Sequence, residues 1–329
     1  MNTVISQKNP FLSIVLPTYN VEKYIDRCLK SCVSQSFPDI EIIVIDDCGS
    51  DDSIAKAANW AEKDKRIKIV SNRKNLGTYH ARRVGTEHAK GKYILYVDPD
   101  DELDIETAET IARIANNESV DIIFFGVQQI PEKGNPFRKE RLPNNNQKSK
   151  RIEKAILQTA ELNFGTPGKA YQTKIAQNAY KYLAIDEGVR LIYAEDALFF
   201  FAAIIHSNTF FSAQKKLYKY YRDDGFISKT MSKEAIDFKC DQIDIVIDTI
   251  RRCTVNSKTI KNENTLRFAA NKVSRKLLSR KHLNKRHSTS ASGSKLYLQN
   301  VIKSFYYRKS IEDLAGIIAY VVSFGKLRL

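Results

Sequence analysis

The fold of this chain is decided by the stretch Tyr93-Ile94-Leu95-Tyr96-Val97-Asp98-Pro99-Asp100-Asp101. A short run of apolar, aromatic and β-branched residues predicts a buried strand, and three carboxylates stand at its carboxyl end. A charge is rarely fully buried unless it is paired or bound to a metal, so packing does not account for them. The alternative is that Asp101 or Asp104 caps the helix that follows, but a cap requires only one aspartate. The group as a whole predicts a ligand site, because ligands of open α/β sheets bind beyond the carboxyl ends of the strands.

Strands and helices alternate on both sides of this stretch. Strands are predicted at 12–16, 40–45, 67–70, 93–97 and 122–125, and helices at 21–35, 52–63, 77–90 and 105–116. In the first of these helices, Ile25, Leu29 and Cys32 recur at the helical period and form an apolar face. Such alternation predicts βαβ units, and therefore an α/β fold with a mainly parallel sheet flanked by helices.

The second half of the chain is less regular. A polar loop is predicted at 130–150, a helix at 152–162, another helix from Glu195, strand-like pieces at 210–221, and helices from Lys233 onward. We therefore expect an α/β domain over residues 11–230, followed by a basic helical C-terminal region over residues 231–329.

The positive charge is concentrated near the end of the chain. The formal net charge is +15, and residues 265–329 contain fourteen Lys and Arg residues against two acidic ones. Apolar and aromatic residues alternate with these cations, as expected for helices that bind an anionic membrane surface. The alternative is a solvated helical cap on the preceding domain.

Two non-catalytic functions agree less well with these features. The calculated pI of about 9.4 suits a nucleic-acid-binding protein, but carboxylates at the strand ends would repel phosphate. A catalytically inactive ligand-binding or scaffold protein is disfavoured by the intact acidic cluster. The sequence therefore indicates an enzyme without a nucleic-acid partner.

Cysteine content and hydropathy predict the compartment. The five cysteines form no C-x-x-C pair, which is typical of a reducing compartment. The longest apolar run, residues 314–324, is too short to span a bilayer, and the first ten residues are polar. We expect a cytoplasmic protein, peripheral on the inner face of the cell membrane.

Two common nucleotide motifs are missing. The first strand is not followed by G-x-G-x-x-G, which argues against a dinucleotide site. The segment from Gly85 to Lys92 has the wrong spacing for a P-loop, and Tyr93 stands where Ser or Thr is required.

What remains is a series of polar residues at successive strand ends. Thr18 and Tyr19 follow the first strand, Asp46 and Asp47 follow the second, and the acidic stretch follows the fourth. A tyrosine ring can stack on a base, a carboxylate can accept a base N–H, and an arginine such as Arg82 can bind phosphates. Each residue alone also suits a turn or a solvated surface, so the signal lies in their order.

Four segments together closely resemble family 2 glycosyltransferases of the GT-A fold over about residues 11–230. They are Ser13-Ile14-Val15-Leu16-Pro17-Thr18-Tyr19-Asn20, Ile43-Val44-Ile45-Asp46-Asp47-Cys48-Gly49-Ser50-Asp51-Asp52-Ser53, Asn75-Leu76-Gly77 with Ala81-Arg82, and Val97-Asp98-Pro99-Asp100-Asp101. Within the family, the chain resembles bacterial lipooligosaccharide β-1,3-galactosyltransferases.

The resemblance implies a donor site and a metal. The implied nucleotide-binding residues are Pro17, Thr18, Tyr19, Asp46, Asp47, Arg82 and Asp98, and the implied metal ligands are Asp98 and Asp100. The metal would be Mn²⁺ or Mg²⁺. Pro99 occupies the middle of the family's D-x-D motif, where a small residue is common, but it removes no ligand.

The resemblance also implies an acceptor side. Asp196, in the Glu195-Asp196 pair, matches the family's catalytic base, and Glu195, Lys169 and Arg222 are candidate contacts of the acceptor or donor sugar. Without the upstream motifs, the pair would be explained by favourable charge at a helix N-terminus. Many relatives carry a Trp two or three residues before the Lys at position 169. This chain has none there, so the identity of the donor sugar is not predicted.

The implied activity is an inverting, metal-dependent transfer of a hexose from a UDP-sugar to a hydroxyl group of a glycan acceptor. Galactose and bacterial lipooligosaccharide or polysaccharide synthesis are the first expectation. UDP-GlcNAc, UDP-GalNAc or UDP-glucose as donor, for capsule or other glycans, is the alternative.

Overall fold

The computed structural model describes residues 9–131, 146–149, 164–222, 232–255 and 263–288, together with the single residue 302. The predicted helix at 152–162, the apolar run at 314–324 and about half of the basic C-terminal region lie outside these residues. The strands are β1 (Leu12–Thr18), β2 (Ile40–Asp46), β3 (Ile67–Ser71), β4 (Tyr93–Tyr96), β5 (Glu102–Leu103), β6 (Ile122–Pro131), β7 (Gln147–Ser149), β8 (Lys169–Gln172) and β9 (Phe210–Arg222). The helices are α1 (Ile25–Val33), α2 (Ser53–Lys63), α3 (Thr78–His88), α4 (Thr107–Glu118), α5 (Thr173–Leu183), α6 (Glu195–Ile205), α7 (Lys233–Val255) and α8 (Glu263–Ser288).

The described strands form one sheet in the order β3-β2-β1-β4-β8-β6-β9-β5, with β7 also paired to β9. The first four are parallel, as predicted. The pair β6 and β9 is also parallel, whereas β8, β5 and β7 run antiparallel to their partners. The expected α/β fold is confirmed, but the sheet is mixed. The sequence does not predict the three antiparallel strands, because they are too short and too polar to produce a strand pattern.

Alternate residues of β1 face opposite layers of helices. Leu12, Ile14 and Leu16 belong to a core that includes the buried face of α1. On the other face, α3 approaches so closely that a Cβ on Gly85 would stand 2.3 Å from Cγ1 of Val15. Glycine at this position therefore allows α3 to lie directly on β1, which fixes the helix that carries Arg82.

The chain divides into two compact units. The first contains the described residues up to 191 together with residues 202–222. The second contains residues 192–201 and the described residues from 232 onward. The domain boundary near residue 230 that was expected from the sequence stays a prediction.

The second unit is built on the packing of α7 against α8. Buried aliphatic residues include Ile243 and Val246 on α7 and Leu266 and Val273 on α8. The exposed side of α8 carries the cations Arg267, Arg275, Lys276 and Arg280. Within the described part of the chain, no helix combines the length and apolarity that crossing a membrane would require.

Candidate active site

The carboxyl ends of β1, β2 and β4 are neighbours in the sheet. Thr18, the last residue of β1, is paired with Asp46, the last residue of β2. On the other side of β1, the Val97 N–H donates to the carbonyl of Val15 at 3.0 Å, so Asp98 follows at the same edge. The sequence-based expectation that these strand ends converge is met by this register.

Asp46 and Asp47 have different environments. Asp47 is buried, and its carboxylate accepts hydrogen bonds from Nδ2 of Asn72 at 2.7 Å and from the N–H groups of Leu76 at 2.9 Å and Gly77 at 2.8 Å. These contacts hold the turn that leads into α3. Asp46 is half-buried and accepts the N–H of Cys48 at 2.9 Å. The arrangement favours Asp46 as the carboxylate that meets a ligand, and gives Asp47 the task of fixing the α3 turn.

The loop after β1 presents Tyr19 to solvent. The residue is 45% exposed, whereas Thr18 is buried and donates from Oγ1 to the carbonyl of Leu16 at 3.1 Å. Pro17 is half-buried. The neighbouring Asn20 has a left-handed backbone (φ 52°), and its side-chain oxygen accepts the Ser50 N–H at 2.8 Å. The loop is therefore tied to the segment that follows β2, while the Tyr19 ring remains available to stack on a base.

Arg82 and Asp98 form an ion pair at this edge. Nη2 of Arg82 donates to Oδ1 of Asp98 over 2.7 Å. The Arg82 side chain is almost completely buried, and that of Asp98 is 29% exposed. Both residues are among the nucleotide-binding residues that the family resemblance implies, and the structure brings them together. The pair fixes one oxygen of Asp98. It also places the positive charge of Arg82 beside the turn formed by residues 98–101, which we call the acidic turn.

Asp100 lies two residues further along the same turn. Asp100 is exposed to solvent, although neighbouring atoms partly desolvate its carboxylate. This desolvation and the negative charge of Asp98 raise the pKa of Asp100 to about 6. A carboxylate whose charge is disfavoured in this way gains stability from a bound cation.

The turn carries the carboxylates of Asp98 and Asp100, whose oxygen atoms are of the type that hard divalent cations bind. Among the described residues, no group of three or more His, Cys, Asp or Glu side chains is arranged to hold a metal ion. Mg²⁺ that is bound together with a nucleotide is commonly held by one or two carboxylates, substrate phosphates and water. Asp98 and Asp100 are therefore suited to hold the ion.

Asp101 is fully buried and has a structural role. Its Oδ2 accepts the Tyr218 hydroxyl at 2.7 Å, and its Oδ1 accepts the Tyr221 N–H at 2.7 Å. Burial and the charges of Asp98 and Asp100 raise the pKa of Asp101 well above its usual range. The Asp101 carboxyl thus joins the acidic turn to β9.

Arg27, on α1, contacts the same turn from another direction. Its Nη2 donates to the main-chain carbonyl of Asp100, and its Nε lies 3.0 Å from Oε1 of Glu102. The guanidinium stacks on the Tyr221 ring, with 3.5 Å between Cζ and the ring centroid. Arg27 and Tyr218 are not predicted by the sequence as site residues, because nothing in their local sequence shows which distant residues they contact.

The candidate sugar contacts in the first unit have different outcomes. Lys169 is buried, and its ammonium group donates to the main-chain carbonyls of Gly165 and, at 3.5 Å, Pro167. These bonds favour a role in holding the turn before β8 over direct contact with a sugar. Arg222 is the last residue of β9, and its side chain lies outside the described residues.

Glu195 and Asp196 begin α6, as predicted. Glu195 is buried, and Asp196 is half-buried and accepts the Ala197 N–H on Oδ1 at 2.8 Å. The preceding Ala194 has a left-handed backbone (φ 64°), which is unusual for a residue with a Cβ. The chain therefore makes a sharp turn immediately before the acidic pair.

The chain matches known glycosyltransferases. A family model described as Glycosyl transferase family 2 matches residues 13–179, just over half of the chain. An uncharacterized glycosyltransferase of Haemophilus influenzae is 44% identical over 92 residues, which are 28% of this chain and 37% of the relative. EpsJ of Bacillus subtilis, also an uncharacterized glycosyltransferase, is 28% identical over 239 residues, 69% of this chain and 66% of EpsJ.

A third relative also has solved structures. TarS of Staphylococcus aureus, a poly(ribitol-phosphate) β-N-acetylglucosaminyltransferase, is 28% identical over 213 residues, 63% of this chain and 35% of TarS. The chain thus spans between about one third and two thirds of the length of these relatives. The crystal structure of TarS 1–349 in complex with UDP-GlcNAc superposes with a TM-score of 0.64 and 18% identity, covering 97% of this chain and 93% of that chain. This likeness shows a shared fold.

Proposed function

Since the chain belongs to the family 2 glycosyltransferases and has their GT-A fold, we propose that it transfers a sugar from a UDP-linked donor to a hydroxyl group of a glycan acceptor, with inversion at the anomeric carbon. The observation that carries this proposal is the acidic turn after β4. It stands beside the ends of β1 and β2, with Asp98 paired to the buried Arg82.

The donor nucleotide would bind across these three strand ends. Tyr19 would stack on the uracil ring, and Asp46 would accept a uracil N–H. Asp98 would contact the ribose or the metal, and Arg82 would keep the charge of Asp98 in place while contributing positive potential near the diphosphate. Thr18 and Pro17 shape the same edge, and Asp47 supports it through the α3 turn.

Asp98 and Asp100 would hold Mn²⁺ or Mg²⁺. When bound, such an ion acts as a Lewis acid that stabilises the departing nucleoside diphosphate. The two carboxylates two residues apart, immediately after the carboxyl end of β4, support this assignment. A related fold, the mannosyltransferase PcManGT of Pyrobaculum calidifontis, was solved with GDP-Man and Mn²⁺, at a TM-score of 0.52 and 13% identity over 96% of this chain and 87% of that chain.

Asp196 would act as the general base. It would accept the proton of the acceptor hydroxyl as the hydroxyl oxygen attacks the anomeric carbon and the bond to the diphosphate breaks. The support is the match of Glu195-Asp196 to the family's acidic pair and its position at the start of α6. Glu195 is buried, which suits a residue that shapes the surroundings of the base.

The donor sugar has two candidates. The sequence resemblance to lipooligosaccharide galactosyltransferases favours UDP-galactose. The likeness to TarS, whose structure contains UDP-GlcNAc, favours an N-acetylhexosamine. The proposal therefore commits to a UDP-hexose or UDP-N-acetylhexosamine, and to an acceptor in a bacterial surface glycan such as lipooligosaccharide or another polysaccharide.

The cations on the exposed side of α8 support association with an anionic membrane surface. Arg275 and Lys276 are adjacent and exposed, and each basic residue near such a surface contributes about 1 kcal/mol. We expect the protein to sediment with vesicles that contain phosphatidylglycerol, and R275Q with K276Q to weaken this binding. Equal sedimentation with purely phosphatidylcholine vesicles would rule out a charge-driven membrane contact.

A donor screen tests the proposed function. Purified protein would be incubated with UDP-galactose, UDP-glucose, UDP-GlcNAc and UDP-GalNAc, with GDP-mannose as the control, and with Mn²⁺ present or absent. We expect Mn²⁺-dependent release of UDP from one UDP-sugar, and no reaction with GDP-mannose. Salt-sensitive binding to RNA without turnover or binding of any UDP-sugar would contradict the proposal.

A further inference from the structure

The hydroxyl group of Tyr218 connects two residues of the acidic turn. It accepts the main-chain N–H of Asp98 at 3.1 Å and donates to Oδ2 of Asp101 at 2.7 Å. Tyr218 is only 1% exposed, so water cannot readily replace either bond. One oxygen atom on β9 therefore fixes both the first and the last residue of the turn.

Other contacts of β9 with this region are consistent with the same function. The Tyr221 N–H donates to Asp101, and the Tyr221 hydroxyl donates to Oε1 of Glu102 at 2.7 Å. The carbonyl of Leu217 accepts the N–H of Asp104 at 3.0 Å. The end of β9 thus holds the main chain from Asp98 to Asp104 at several points.

A further main-chain position of the turn, the carbonyl of Asp100, is held by α1. Arg27 donates to the carbonyl of Asp100 and stacks on the ring of Tyr221. The turn is thereby fixed on both sides, and Asp98 and Asp100 are left with their carboxylates directed by a constrained backbone. Removing a group that orients a metal ligand typically weakens metal affinity by about 10- to 100-fold.

We propose that Tyr218 is a positioning residue for the acidic turn, and that its hydroxyl group sets the affinity of the site for a divalent cation chelated by a nucleoside diphosphate. This inference rests on the proposed function, because it assumes that Asp98 and Asp100 hold that cation. Tyr218 acts through the backbone of the turn and does not itself touch the ligand.

The test compares Tyr218→Phe with Tyr93→Phe. Tyr93 is also fully buried, and its hydroxyl donates to the carbonyl of Val120. It stands at the first residue of β4, whereas the acidic turn follows the last. Each variant loses one buried hydroxyl group, and thermal unfolding measures the loss of stability in each, so that affinities are compared between folded proteins. Calorimetry with UDP and Mn²⁺ should show about a tenfold weaker affinity in Tyr218→Phe and an unchanged affinity in Tyr93→Phe.

Hydrogen–deuterium exchange provides a readout that requires neither ligand nor activity. In the wild-type protein, the amide of Asp98 should be protected, and a peptide covering residues 97–101 should exchange faster in Tyr218→Phe but not in Tyr93→Phe. Rapid exchange of this peptide in the wild-type protein would overturn the inference even if the variant does not fold.

The outcomes separate the inference from the proposed function. Wild-type affinity for Mn²⁺ and UDP in Tyr218→Phe would overturn the positioning role and leave the glycosyltransferase proposal intact. Failure of the wild-type protein to bind UDP with Mn²⁺ would overturn both.

Discussion

Nη2 of Arg82 lies 2.7 Å from Oδ1 of Asp98, and the guanidinium group is almost completely buried. Arg82 is on α3, held against the sheet at Gly85, and Asp98 follows β4. This ion pair links α3 to the acidic turn. It fixes one carboxylate oxygen of Asp98.

Replacing Arg82 should weaken nucleotide binding. Arg82→Gln removes the charge that is paired with Asp98, and hydrogen bonds to charged groups contribute about 1.5–3 kcal/mol. We expect UDP affinity to fall by about 10- to 100-fold in calorimetry. Arg83→Gln is the matched control, because Arg83 pairs with Glu87 and Glu187 at the surface. Equal effects of the two substitutions would contradict the assignment.

Asp46 and Asp47 should be separable by their effects. Asp47→Asn leaves at least one buried N–H at the α3 turn without an acceptor, at a cost of about 1–3 kcal/mol in the free energy of unfolding. Asp46→Asn should change stability by less than about 0.5 kcal/mol but weaken UDP binding. Chemical denaturation and calorimetry measure the two quantities, and the reverse pattern would show that the two roles have been exchanged.

Cys48 offers a chemical probe of the same edge. It is exposed, whereas the other four cysteines are buried, and slight desolvation together with the charges of Asp46 and Asp47 raises the pKa of its thiol. Because the thiolate is the reactive form, maleimide labelling should be slow at pH 7 and continue to accelerate above pH 9. Saturating UDP should slow it further, and Cys48→Ser should abolish it. Labelling that is indifferent to UDP would place the nucleotide elsewhere.

Asp196 should be needed for chemistry and dispensable for donor binding. General base catalysis contributes about 10²- to 10⁴-fold, so Asp196→Ala should reduce transfer by at least that factor while UDP affinity in the presence of Mn²⁺ is retained. Asp237→Asn, at an exposed position of α7, is the control and should remain active. Loss of UDP binding in Asp196→Ala would refute this division of roles.

Much of the first half of the sheet can be predicted from sequence, because buried parallel strands are continuous apolar runs. The runs at β1, β2 and β4 also place Thr18, Asp46 and Asp98 at one edge, since parallel strands end on the same side. The antiparallel strands escape prediction. Lys169 and Gln172 give β8 no apolar pattern, and its place in the sheet depends on pairing with β4 and β6, which are distant in sequence.

The internal supports of the site escape prediction for a related reason. Asp46 and Asp47 are adjacent and chemically identical, and they differ only because the segment from Asn72 to Gly77 folds onto one of them. Tyr218 and Asp101 are 117 residues apart, so their hydrogen bond follows from the docking of β9 and not from a local motif. Local patterns thus identify the residues that face a ligand more readily than those that hold them.

The central claim is that Asp98 and Asp100 bind a divalent cation that holds a uridine diphosphate. Calorimetric titration of UDP into the wild-type protein and into Asp100→Asn, each with and without Mn²⁺, tests it most directly. We expect Mn²⁺ to strengthen UDP binding markedly in the wild-type protein, and this gain to be lost in Asp100→Asn. A UDP affinity that does not respond to Mn²⁺, or a gain that persists in Asp100→Asn, would contradict the claim.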